Sequence, residues 1–122
     1  MTTLTDNETL DRHINQAGIT TGPAKLDLIR KACELRGLPL FKDDGSSSPV
    51  AKVKLFDPTG SWTWYLSEWD GKNEAFGLVD GFEKELGYID LQELSELRGK
   101  LGIGIEVDVW WTPEALEELQ KS

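Results

Sequence analysis

The sequence predicts an α+β domain: a small, mainly antiparallel sheet of four to five strands packed with short helices, preceded by an amino-terminal helical segment. Three observations carry that reading. Before residue 43 the apolar residues recur at helical spacing, and beyond residue 49 they alternate with period two. Between the two regimes lies DDGSSSP, residues 43–49, which is acidic, then rich in Gly and Ser, then closed by Pro. We therefore expect a helical segment over residues 1–45 and an α+β domain over residues 46–122.

Within the first segment, AKLDLIRKACELR at 24–36 makes the clearest helix. Pro23 suits its first position and Gly37 its stop. Leu26, Leu28, Ile29, Ala32, Cys33 and Leu35 fall on one side; Asp27, Arg30, Lys31 and Glu34 fall on the other. Asp27–Lys31 and Arg30–Glu34 are four apart and pair across a turn. An earlier helix near 6–16 has only Leu10, Ile14 and Ala17 as its stripe, with His13 at its border.

In the second part, AKVKLF at 51–56 sets Ala51, Val53 and Leu55 on one face and Lys52 and Lys54 on the other. DPTG at 57–60 is a turn, and DGKN at 70–73 turns the next strand into EAFGLV at 74–79, a hairpin pattern. Asp90 caps a helix whose Glu93 completes a capping box, with Ile89 stapled to Leu94 and Gly99 as its stop. IEVDVWW at 105–111 alternates again, placing Ile105, Val107, Val109 and Trp111 opposite Glu106, Asp108 and Trp110. Thr112 then caps a last helix with Pro113 first and Trp111 stapled to Leu116.

Five tryptophans in 122 residues bear on stability and on binding. Burying one indole removes about 150–250 Å² from water, or up to roughly 4–6 kcal/mol at about 25 cal/mol per Å². A small domain keeps a net stability of only about 5–15 kcal/mol. Trp62, Trp64 and Trp111 are therefore expected in the core. Trp69 and Trp110 fall opposite the main core row, beside Glu68 and Asp70 and beside Glu106 and Asp108. An indole next to carboxylates suits a cation, a sugar or a partner's arginine. Glu68, Trp69, Asp70, Glu106, Asp108 and Trp110 are thus the candidate binding residues.

Composition narrows the chemistry. One Cys and one His, Cys33 and His13, cannot build a Cys/His zinc site within one chain, and no intrachain disulfide forms. Neither a catalytic triad nor a phosphate-cradling Gly loop is legible, so no cofactor, resident metal or catalytic residue is expected. No apolar run approaches the roughly 20 residues that span a bilayer, and no secretory leader is visible; we expect a cytoplasmic protein that does not engage membranes. Net charge is −9, and residues 45–122 hold seven Lys and Arg against fifteen Asp and Glu, a balance of −8. That sign opposes direct nucleic-acid binding and favours a basic partner.

The run from Tyr65 to Asp108 resembles a family of small uncharacterised bacterial proteins, a domain of unknown function carried on plasmids, conjugative elements and phages. AFGLVD at 75–80, ELGYIDLQEL at 85–94 and LGIGIEVD at 101–108 carry the likeness. The resemblance implies a compact α+β domain of mobile elements, encoded near genes for plasmid maintenance or evasion of host defence, and supplies no enzymatic residues. That family tends to place an Arg between the two acids of its last strand, whereas here Val107 stands between Glu106 and Asp108. The segment 1–45 lies outside the likeness, and self-association through its apolar side is left open.

The leading expectation is a non-enzymatic accessory protein of a mobile element, acting through an acidic surface on another protein. A DNA-binding host enzyme, occupied by imitation of DNA's phosphates, is one such partner. The alternative is a carboxylate- or metal-dependent hydrolase using Glu68, Asp70, Glu106 and Asp108. A carbohydrate-binding module on Trp69 and Trp110 is a third.

Overall fold

The computed structural model describes residues 21–122. The expected helix near 6–16, with His13, lies outside them. Helix α1 (Pro23–Leu35) opens the described chain, followed by strands β1 (Val50–Ala51), β2 (Val53–Phe56), β3 (Thr63–Trp69), β4 (Glu74–Asp80) and β5 (Lys84–Asp90). Helix α2 (Leu91–Glu96), β6 (Glu106–Val107), β7 (Glu114–Ala115) and helix α3 (Leu116–Lys121) complete it. Five strands form an antiparallel sheet in the order β5-β4-β3-β2-β6, and β1 pairs with β7 in a small second sheet. The fold is α+β. No helix among the described residues is long and apolar enough to cross a membrane.

Because side chains alternate along a strand, the main sheet offers two faces, and each carries a core. The inner face packs Val53, Leu55, Trp64, Leu66, Ala75 and Ile89 against Leu28, Ile29, Ala32 and Cys33 of α1 and Leu91 and Leu94 of α2. Helix and sheet on either side of residue 45 therefore share one core. The outer face holds a smaller cluster of Ala51, Leu78, Leu116 and Leu119, with Tyr65 and Trp111 packed on it. Arg36 ties the end of α1 to the chain after β6, donating to the carbonyls of Trp111 at 3.1 Å and Val109 at 2.5 Å.

Local signals placed the turns. Pro23 begins α1, and Gly37 follows its end with φ +65°. Asp57–Gly60 closes with the Gly60 amide donating to the Asp57 carbonyl at 3.2 Å. Asp70 accepts from the amides of Lys72, Asn73 and Glu74 at 2.8, 2.7 and 3.0 Å, fixing the β3–β4 turn. Desolvation opposes ionisation there, yet those amides together hold its carboxyl below the usual range.

Long-range pairing overrode several expectations. The run 51–56 breaks at Lys52, so Ala51 leaves the face of Val53 and Leu55 for the outer cluster. Its partner is β7, and that pairing, with the Leu116 amide donating to Pro49 at 2.8 Å, delays the last helix from Pro113 to Leu116. Strand β6 is only two residues long, and the chain turns at Asp108, whose Oδ1 accepts from the Trp110 amide at 3.0 Å. Trp111 consequently joins the outer cluster, while Ile105, Val107 and Val109 stay inside.

The β3–β4 register shifts between Leu66 and Glu68, a bulge at Ser67. One extra residue reverses the faces beyond it. Trp69 therefore turns inward, buried, and its Nε1–H donates to the Leu38 carbonyl at 3.1 Å.

Candidate functional site

A cleft of about 460 Å³ lies on the inner face, beside the short helix α2. Its apolar lining comes from Trp62, Trp64, Val79 and Ile89 and from Leu94, Leu97 and Ile105. Asp57, Asp90, Glu93 and Arg98 stand in the lining as its charged groups. A shallower annex of about 240 Å³ shares Trp62 and Val79 and adds Phe82, Glu83 and Glu85. Cleft and annex together present five carboxylates against one guanidinium. A mostly apolar concavity with a few fixed polar groups is the usual form of a binding site.

Each part is held by local chemistry. Trp62 and Trp64 are two apart, hence on one face, with ring centroids 6.1 Å apart and planes tilted by 32°. Trp62 lies flat on Gly81, where an added Cβ would come within 2.4 Å of the indole. The ring of Phe82 meets Trp62 edge-on at 5.3 Å. Asp57 Oδ1 accepts from both the amide and the hydroxyl of Thr59 at 2.9 Å, which locks the turn. Gly99 lies against that turn so tightly that a Cβ would sit 2.6 Å from Asp57 Oδ1. Asp90 Oδ1 caps α2 through the Glu93 amide at 3.1 Å and also accepts from Asn73 Nδ2 at 3.1 Å.

None of the six residues singled out from sequence lines this cleft. Glu68 is buried at the bulge, with Oε2 accepting from the Ser48 amide at 3.3 Å. Trp69 is interior, and Asp70 is committed to its turn. Asp108 lies 3.6 Å from Lys54, whose ammonium also sits 5.3 Å from the Trp111 ring centroid. Glu106 is half-buried opposite Phe56. Trp110 is 78% exposed. The four carboxylates proposed for hydrolysis thus occupy four separate environments. Among the described residues no three His, Cys, Asp or Glu side chains are grouped to hold a metal ion. Burial pushes the Cys33 thiol up to about 12, with Glu34 adding to it, so this sulfur stays protonated and inert.

A family model described as protein of unknown function (DUF2958) matches residues 28–118. The chain belongs to this family. The match reaches beyond the run 65–108, taking in most of α1, the buried residues of the larger core, those of the smaller core except Leu119, and every residue of the cleft. Comparison with curated proteins and with solved structures returns no match. The DUF2958 description names no activity, so the chemistry of the site has to be argued from its residues.

The cleft was missed in the sequence because its parts lie far apart, from Asp57 to Ile105. Two of its pieces did carry signals. The capping pair Asp90 and Glu93 reads as helix chemistry, and Trp62 with Trp64 reads as core; both readings omit the open side of these groups.

Proposed function

We propose that this DUF2958 chain is a binding module whose cleft takes a basic segment of another protein. An apolar side chain of that segment rests on Trp62 and Trp64, and its Lys or Arg is held by Asp57, Asp90 and Glu93. The observation that carries this reading is the aromatic lining bordered by five carboxylates and one arginine. Indole faces attract cations, and of the carboxylates Asp57 is partly buried, which strengthens its pairing with a cation. The overall charge of −9 adds steering of a basic partner over distance.

The wider role we assign is that of a non-enzymatic accessory protein of a mobile element, meeting a host protein during evasion of host defence. A DNA-binding host enzyme fits, since its basic groove is the kind of surface that acidic side chains attract. Titration with short peptides that combine Lys or Arg with Leu or Trp tests the site directly. Emission from Trp62 should shift on binding, and affinity should fall as salt rises. The paired change D57N and E93Q should weaken it at least tenfold. An equal response to acidic peptides, or affinity indifferent to both changes, would rule the reading out.

A further inference from the structure

We propose that two copies of this chain pair through the free edges of β5, antiparallel and centred on Gly87, so that their five-stranded sheets become one. This inference stands on the edge strand; it shares Tyr88 and Asp90 with the cleft, so pairing and cleft binding compete for the Asp90 carboxylate.

Among the described residues β5 has a single neighbour, β4, along all seven of its positions. It contains no Pro and no register shift. Such an edge presents unpaired N–H and C=O groups to any second strand, and natural edges are normally blunted by Pro, bulges, charged side chains or cover; β5 keeps its charges, Lys84, Glu85 and Asp90, towards its two ends. Here the middle of the strand is apolar and open: Leu86 is 46% exposed and Tyr88 70%.

The sequence of β5, KELGYID, is complementary to itself when run antiparallel. Residues opposite one another across a pair face the same side of the sheet. With Gly87 on the two-fold axis, Lys84 meets the partner's Asp90, and Leu86 meets the partner's Tyr88, while Glu85 lies opposite the partner's Ile89, whose side chain is buried in its own core. Symmetry repeats each pair. Opposite charges and apolar side chains are the cross-strand pairs that stabilise sheets. Moving the axis to Leu86 leaves Ile89 and Asp90 outside the pairing, and moving it to Tyr88 leaves Lys84 and Glu85 outside it. Only the central register uses all seven residues.

Lys84 Nζ donates to the carbonyls of Leu119, at 3.0 Å, and Ser122, and to Ser122 Oγ at 3.5 Å; an ammonium has three donors, so the partner's Asp90 has to displace the longest of these bonds. Asp90 accepts from Asn73 Nδ2 and the Glu93 amide on Oδ1, and its Oδ2 faces the partner's Lys84 in the paired edge. Edge pairing of this length is smaller than the ~1,200 Å² of stable complexes, so the dimer dissociates on dilution.

Sedimentation velocity of the full chain over a wide concentration series tests this. The wild type should move from monomer to dimer. K84E and D90K should each stay monomeric, because each sets like charges opposite one another. Their equal mixture should recover the dimer, since the reversed charges then meet. D90K also removes the cap of α2, so L86K, at an exposed position, serves as the second variant; it should be monomeric with unchanged circular dichroism. A wild type that is monomeric throughout, a dimer that survives L86K, or folded K84E and D90K chains that fail to pair would overturn the proposal.

Discussion

Two single residues are at odds with their surroundings. Leu101 has φ 64° and ψ 11° and is 90% exposed, with Gly102 following at φ 71°. Positive φ at both central positions is the arrangement of a type I′ turn, for which Asn-Gly is the favoured pair. A left-handed leucine costs roughly 1–2 kcal/mol, so L101N should stabilise the protein by about 1 kcal/mol, read from urea unfolding. Lys25 is the other: only 1% exposed on α1, its ammonium made easier to deprotonate by burial, with Glu106 partly opposing. The folded state then releases this proton at lower pH than the unfolded chain does. Between that lowered value and the ordinary 10.5, the unfolded state binds more protons, so stability rises with pH. K25M should lack this rise, and urea titrations of both proteins across the alkaline range would show it.

At the level of elements, what was legible in sequence was what neighbours in the chain decide. Pro23 and Gly37 bounded α1, Asp90 capped α2, and Asp57 and Asp70 made their turns, because each signal acts within four residues. Pairings between distant segments left no such mark. The break at Lys52 and the late start of α3 both follow from β1 meeting β7, sixty-odd residues away. Strand β5 escaped notice since its exposed Leu86 and Tyr88 give no inward apolar row. The bulge at Ser67 moved Trp69 from a supposed binding face to the core, which no periodicity announces. One long-range tie is open to a direct check. Arg36 joins α1 to the segment after β6 through two charged hydrogen bonds, each worth about 1.5–3 kcal/mol. R36A should therefore lose about 3–6 kcal/mol in chemical denaturation, with the helix content of the folded state retained.

For the molecule as a whole, the decisive fact is that α1 and the sheet share the larger core. Leu28, Ile29 and Leu38 precede residue 45 and are all buried in it. Each contributes about 1.5–3 kcal/mol against a net of about 5–15. A 46–122 fragment should therefore show no cooperative thermal transition by calorimetry. A sharp melt would instead make the helical segment a dispensable appendage. The two cores are also very unequal, seventeen buried apolar residues on the inner face and four on the outer among the described residues. Local opening begins where the fewest apolar contacts must part. The arm formed by β7 and α3 should thus detach while the rest stays folded, and its amides should exchange with deuterium first. Since that same arm supplies the carbonyls that hold Lys84, its detachment would free the ammonium at one end of β5, linking the looseness of the carboxyl-terminal arm to the electrostatics of a strand on the far edge of the sheet.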